Sequence, residues 1–362
     1  MIKVYKHSHF KADIFGHGGN KRTAQINELL NAAGIVFEEV DFDKYEPAAN
    51  HIKSFIKGGL IFKNLGKGFK TNYAIGRYLL KFEYFIKDCK PELFIWESTS
   101  GYYLLLAEIL YKYKIPFIAI PHNIESLVNG NVSEFSKKKS PIWFNEEINF
   151  LRLANKVFTI SREENWLLSL YGLAPHYLPY FPPKDLTDHF LNINKKRSKK
   201  KNNSTGKKKL LLLGTFHNPP TLKGYLEIID VLADLSFVDV KVAGFGSELL
   251  EVTTFGTNIS VLGTLSFEEL ASTIEEADYA LIHQEPSSGA LTRITELLLC
   301  GLPILANNSA SRSYYNAPGV TTYSDTDELI ALLRGTTDTQ FFCIERPIEE
   351  NKFIKILNIT ND

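Results

Sequence analysis

The sequence predicts an α/β protein built as two parallel-sheet units, and three observations lead there. Short β-rich apolar runs alternate with longer segments of helical period almost from end to end, the pattern of strands joined by crossover helices. The alternation stops once, near the middle, and then restarts. At 362 residues the chain exceeds the size at which one hydrophobic core keeps growing, so two domains are expected.

In the first unit strands are expected at 2–5, 36–40, 93–96, 117–120 and 157–160, runs rich in Val, Ile, Leu and Phe. Helices are expected at 21–33, 72–87, 102–113, 144–154 and 163–171, where apolar residues recur three and four apart. Gly34 and Gly172 follow two of these helices and Pro116 precedes a strand, the usual punctuation between elements. Segment 182–209 breaks the rhythm and ends in a run, 195–209, in which nine of fifteen residues are Lys or Arg. It reads as an exposed linker whose charge suits anionic lipid heads or a phosphorylated acceptor. Beyond it, strands are expected at 210–213, 239–243, 259–262, 279–283 and 303–306, with helices at 224–235, 267–277 and 291–300. The expected division is an N-terminal domain 1–181, a basic linker 182–209, a C-terminal domain 210–340, and a segment 341–362 crossing back onto the first domain.

Composition narrows the function. With 44% hydrophobic and 23% charged residues the chain is an ordinary globular protein, and 41 basic side chains balance 41 acidic ones, which argues against a nucleic-acid partner. Cys89, Cys300 and Cys343 are too few and too scattered for a disulfide framework or a zinc site. No leader-like or bilayer-spanning apolar stretch is present, so a cytoplasmic protein is expected. The basic loops at 137–139 and 195–209 would allow peripheral contact with the inner face of a membrane.

The residues best suited to chemistry lie in 285–306. A strand ends near His283, a turn with Ser288 and Gly289 follows, and a helix begins at Ala290 or Leu291. Free amides of Gly289, Ala290 and Leu291, at the positive end of that helix, suit a nucleotide diphosphate. Arg293 and Glu296 share a helix face, offering a cation for phosphate and a carboxylate for vicinal hydroxyls, or else a plain helical ion pair. Gly214, Asn218 and Lys223, after the first strand of the second unit, are further candidates for donor binding. In the first unit the turn Gly16-His-Gly-Gly-Asn-Lys-Arg22 places Gly18 and Gly19 at a helix start, with Lys21 and Arg22 nearby. His122 follows a strand that ends at the expected cleft. Glu97, Glu125 and Glu285 are loose acid–base candidates, and Asp41-Phe-Asp43 has the form, but not the place in the chain, of a metal-binding pair.

Glu296, Gly301 and Pro303 stand at the spacing of the signature of family 4 glycosyltransferases, and the C-terminal half resembles that family's. Val242-Ala-Gly-Phe-Gly246, 258–263 and Glu275-Glu-Ala-Asp-Tyr279 match its order over 210–306. Arg293 sits where many members place a phosphate-binding Lys, and Lys223-Gly224 match a second motif. Two positions differ: Ser288 stands at the first Glu of the signature, with Glu285 three residues earlier, and Thr215 replaces a common Arg. The Gly18-Gly19 loop, His122 and Ser161-Arg162 resemble the family's N-terminal cleft loops. The resemblance implies a GT-B fold, two Rossmann-like domains facing across a cleft. It implies sugar transfer from a nucleotide sugar, as substrate and with no cofactor or metal, to a glycan or lipid-linked acceptor. Retention of configuration and a place in surface polysaccharide synthesis come with it. Within it His122, and Ser288 or Glu285, are the catalytic candidates. A sugar-nucleotide epimerase and a non-catalytic nucleotide-sugar-binding subunit are the alternatives.

Overall fold

The computed structural model describes residues 2–47, 51–61, 68–199, 206–250, 256–335 and 342–359. Its first six strands, β1 (Val4–His7), β2 (Phe37–Glu39), β3 (Leu93–Trp96), β4 (Phe117–Ala119), β5 (Lys156–Thr159) and β6 (His176–Tyr177), form one parallel sheet in the order β2-β1-β3-β4-β5-β6. The next six, β7 (Lys208–Leu213), β8 (Val238–Ala243), β9 (Ile259–Gly263), β10 (Tyr279–Ile282), β11 (Ile304–Asn307) and β12 (Val320–Tyr323), form a second in the order β12-β11-β10-β7-β8-β9. Central strands are apolar throughout because helices cover both faces: every residue of Leu93-Phe-Ile-Trp96 and of Tyr279-Ala-Leu-Ile282 is buried.

The helices are α1 (Gly18–Ala32), α2 (His51–Ile61), α3 (Phe69–Cys89), α4 (Leu105–Lys112), α5 (Ile142–Leu151) and α6 (Arg162–Leu170), then α7 (Lys184–Lys199), α8 (Pro219–Ala233) and α9 (Phe267–Glu276). They end with α10 (Thr292–Leu299), α11 (Asn308–Ser311), α12 (Thr326–Arg334) and α13 (Ile348–Ile359). Two apolar clusters sandwich each sheet. Phe94, Trp96 and Phe117 belong to one side of the first sheet and Ile95, Ile118 and Phe158 to the other, as strand alternation dictates.

The expected linker needs correction. Within 182–209, α7 buries Leu186, Phe190 and Ile193 in the core of the second sheet, and Arg197 donates to the carbonyls of Ile274 and Ala277. The basic run at its end hid an amphipathic helix, of whose basic residues Lys195, Lys196 and Lys199 are exposed. Residues 200–205 of that run and the 340/341 boundary lie outside the described residues. In the last segment, α13 buries Phe353 and Leu357 against Ile26, Leu29 and Leu30 of α1, under the first sheet.

Each sheet reverses its strand order once, between β1 and β3 and between β7 and β10. The crevices beyond the carboxyl ends of those strands are where such sheets bind ligands. The segments that leave them are His7–His9 and Glu97–Tyr103 in the first unit, and Gly214–Asn218 and His283–Gly289 in the second.

Candidate functional site

In the second unit the turn after β10 is organised by Gln284. Its side-chain carbonyl accepts from Thr221 Oγ1 at 3.2 Å and from Arg293 at 2.9 Å, and its amide donates to Ser287 at 2.7 Å. Asn307 at the end of β11 closes the pair of contacts from the other side: Asn307 Nδ2 donates to the Gln284 carbonyl at 2.9 Å, and the Gln284 N–H donates to Asn307 Oδ1 at 3.2 Å. Asn218 sits at the N-cap of α8, with its Nδ2 3.1 Å from Thr221 Oγ1, and Gly214 N–H donates to the Ala243 carbonyl. The N-terminus of α10, at Leu291 and Thr292, has no side-chain cap, and Arg293 Nε is buried without a hydrogen-bond partner. Gly289 has φ +73, a left-handed conformation that favours glycine at the turn into α10.

In the first unit Lys6, Glu97 and the partly buried His122 stand in a row. Lys6 Nζ lies 2.9 Å from Glu97 Oε1, both side chains fully enclosed, and Glu97 Oε2 lies 3.2 Å from His122 Nε2 and accepts from Thr23 at 3.0 Å. Burial alone would raise the Glu97 carboxyl, but Lys6 and His122 outweigh it and hold it below its ordinary value. The ring of Phe10 packs edge-on against His122 at 5.1 Å.

The two units meet at these loops. A Cβ on Gly18 would stand 2.8 Å from Thr292 Oγ1, so the N-termini of α1 and α10 are in contact. Lys21 Nζ reaches Glu296 Oε2 at 2.7 Å, and the Tyr180 hydroxyl donates to Glu296 Oε1 at 2.8 Å. The N–H of Gly289 donates to the buried carboxylate of Glu164 at 3.0 Å, as does that of Ile124. Ser313 donates to Glu163, and Arg312 donates to the Gly289 carbonyl.

Several sequence expectations change. The Gly289 amide faces an internal anion, Glu164, so the free amides expected for phosphate begin at Ala290 and Leu291. Arg293 and Glu296 do not pair with each other among the described residues, because Gln284 takes Arg293 while Lys21 and Tyr180 take Glu296. Lys223 and Glu285 form a half-exposed pair at 3.5 Å, so the sugar-contacting role expected for Glu285 would require that pair to open. Arg22 is buried and donates to the carbonyls of Leu178 and Pro179. Gly19 donates to the His17 ring that caps α1. Asp41 caps a short turn and Asp43 pairs with Lys81, which accounts for both acids of the Asp-Phe-Asp run. Ser288 makes no hydrogen bond among the described residues. Gln284, Glu164, Tyr180 and Asn307 were not singled out in the sequence. Gln284 and Asn307 carried one signal, a polar residue directly at the carboxyl end of an apolar strand, whereas Glu164 and Tyr180 are distant in sequence from what they hold.

The paired sheets and the facing loops define a GT-B architecture. No protein-family model and no curated protein matches the chain in sequence. Solved structures similar to it include sucrose-phosphate synthase from Thermosynechococcus elongatus, 14% identical with a TM-score of 0.59, over 99% of this chain and 95% of that one. The catalytic domain of starch synthase IV from Arabidopsis thaliana, bound to ADP and acarbose, is 10% identical with a TM-score of 0.58 over 99% and 95%. UDP-GlcNAc 2-epimerase from Methanocaldococcus jannaschii, in complex with UDP-GlcNAc and UDP, is 13% identical with a TM-score of 0.54 over 99% and 100%. No helix among the described residues is long and apolar enough to cross a membrane.

Proposed function

We propose that the chain is a glycosyltransferase that moves a sugar from a nucleotide-sugar donor to an acceptor hydroxyl, with no metal or cofactor in the step. One observation carries this reading: the N-termini of α1 and α10 meet at Gly18 and Thr292, with Lys21 and Arg293 beside them. Two positive helix ends in contact repel one another, and an anion between them turns that repulsion into attraction. A nucleoside diphosphate fits, and two structures of similar fold hold ADP or UDP.

The diphosphate would take the amides of Ala290 and Leu291 and the unpartnered Nε of Arg293, with Gly214, Asn218 and Lys223 along its path. The exposed ring of Phe245, 4.7 Å from that of His217 beyond β8, offers a stacking face for the base. Glu296 would accept from the ribose once Lys21 turns to the phosphates. As the bond between the anomeric carbon and the diphosphate oxygen breaks, charge grows on the leaving oxygen, where these fixed donors stabilise it. The acceptor oxygen bonds to the anomeric carbon and its proton passes to the departing phosphate. His122, fixed by Glu97, and Ser288 are assigned to the sugar. Retention of configuration and a role in surface glycan synthesis, with a glycan or lipid-linked acceptor, rest on the resemblance to family 4 enzymes.

The test is thermal shift with UDP, GDP, ADP, CMP and dTDP on the wild type and on Arg293→Ala. At least one nucleotide should raise the melting temperature, with affinity about tenfold weaker in the variant for one lost charge-assisted contact. A folded protein that responds to none of the five sinks the reading. A responder nucleotide sugar that is inverted at its own ring, with no transfer, would instead identify an epimerase.

A further inference from the structure

A cavity of about 510 Å³ in the first unit lies beside the donor crevice and has no role so far. Its volume is within the roughly 300–1,000 Å³ range of small-molecule sites. It opens at the carboxyl ends of three strands, bounded by His9 after β1, Ser100 to Tyr103 after β3 and Glu125 after β4. We propose that it holds the acceptor sugar and selects a pyranose without an anionic substituent, neutral or amino-bearing. The proposal rests on the glycosyltransferase reading for the word acceptor, and on the cavity itself for the chemistry.

The walls are aromatic. Tyr78 and Tyr102 stack at 5.0 Å with planes 20° apart, Tyr103 meets Tyr78 edge-on at 5.6 Å, and Trp143 lines the same space. Aromatic faces carry negative charge density, so they favour polarised C–H groups and ammonium groups over anions. The polar part is acidic. Glu125 is oriented by Asn123 Nδ2 at 2.7 Å and Asn131 Nδ2 at 3.2 Å. Glu134 makes no hydrogen bond among the described residues; after burial, its charge is the leading influence raising the Tyr102 phenol, and it also raises that of Tyr78. Burial, and after it the charge of Glu164, push the Glu125 carboxyl above its ordinary value, while the Asn123 hydrogen bond favours its charged form. Carboxylate oxygens accept hydrogen bonds from sugar hydroxyls and an amino group, and carboxylate charge repels phosphate or carboxylate. Among the described residues no Lys or Arg lines the cavity, though Lys81 Nζ lies over the Tyr78 ring at 5.5 Å. His9, the one basic side chain there, is pushed below its ordinary value of 6.5 by burial and by His122, so it brings no compensating cation at neutral pH.

The cavity is also in the right place. Asn123 donates to Glu125 on the cavity side, while its Oδ1 lies 3.0 Å from where a Cβ on Gly289 would stand. One side chain therefore separates the acidic wall from the turn that leads into the α10 N-terminus.

Saturation-transfer NMR on the full chain, with and without the responding nucleotide, tests this using methyl glycosides of the gluco, galacto and manno series. Their 2-amino, uronic acid and 6-phosphate counterparts complete the panel. We expect signals from neutral or amino sugars only, weakened about tenfold by Glu134→Lys and by Tyr102→Ala, each removing one contact of ordinary strength. Both variants should keep the wild-type thermal shift with nucleotide, which shows that fold and donor site are intact. Preference for an anionic sugar, no sugar signal in either state, or signals unchanged in both variants each overturns the proposal. Sugar binding that maps to the cavity in a protein indifferent to every nucleotide would keep the cavity's chemistry and discard the transferase reading.

Discussion

Lys6 and Glu97 are both fully enclosed, and each is the other's main reason for tolerating burial. Glu97→Gln removes that compensation and leaves Lys6 with only the half-exposed Glu39 at 2.8 Å. We expect a loss of about 3 kcal/mol, the low end of the cost of breaking a buried pair, read from urea unfolding, because Lys6 keeps only a half-exposed partner. The pH dependence has a definite sign. The Glu97 carboxyl is held below its ordinary 4.5 in the folded state, so its contribution is present above that pH and is lost as pH falls below it. His7 acts over a different window. Burial, then His9 and Lys6, lower it from 6.5 to about 3, while its Nδ1 lies 2.5 Å from Ser98 Oγ. The unfolded chain therefore binds a proton that the folded one refuses, and stability falls as pH drops from 6.5 toward 3. The shift corresponds to on the order of 5 kcal/mol. Urea midpoints measured across that range should fall less steeply in His7→Gln than in the wild type.

At the scale of elements, α13 supplies apolar side chains that the first sheet lacks in its own half of the chain. Phe353 has no exposed surface and its ring meets Phe158 edge-on at 4.7 Å. Phe353→Ala should cost about 3–4 kcal/mol and lower the melting temperature, the penalty of removing a buried aromatic and leaving its cavity. This element was hard to read in the sequence because its stretch is polar and follows Pro347. The central strands were legible to within a few residues, since burial on both faces makes them continuous apolar runs. Helix α7 was not, because its last turn runs straight into the basic stretch 195–209, which made the apolar spacing of Leu186, Phe190 and Ile193 look like part of a linker. In the site, Gly289, Arg293 and Glu296 could be found from local pattern. Their actual partners could not, because Glu164, Lys21 and Tyr180 come from the other unit, more than a hundred residues away.

Across the whole molecule, the two units are joined by four polar contacts, Lys21 with Glu296, Tyr180 with Glu296, Glu164 with the Gly289 amide, and Glu163 with Ser313, and by the apolar side chains of Ile14 and Phe15, the latter edge-on to Phe267 at 5.1 Å. Junctions within a chain that are largely polar allow domains to move. On the proposed reading, a donor that enters between α1 and α10 would have to part Gly18 from Thr292, so the closed arrangement would open and shut in each cycle. Lys21→Ala combined with Ser313→Ala removes two of the four polar contacts and leaves every cavity-lining side chain in place. Two partly buried polar contacts together contribute about 1.4 kcal/mol, which is about tenfold in a rate that depends on closure. Small-angle scattering should show the double variant more expanded than the wild type when free, with both contracting on addition of the responding nucleotide. Transfer should slow about tenfold, and because Lys21 is also proposed to turn to the phosphates, Ser313→Ala alone separates the two effects. It should expand the free protein and slow transfer while leaving nucleotide affinity unchanged. A Ser313→Ala protein with wild-type scattering and wild-type rate would mean that the contact with Glu163 plays no part in closure.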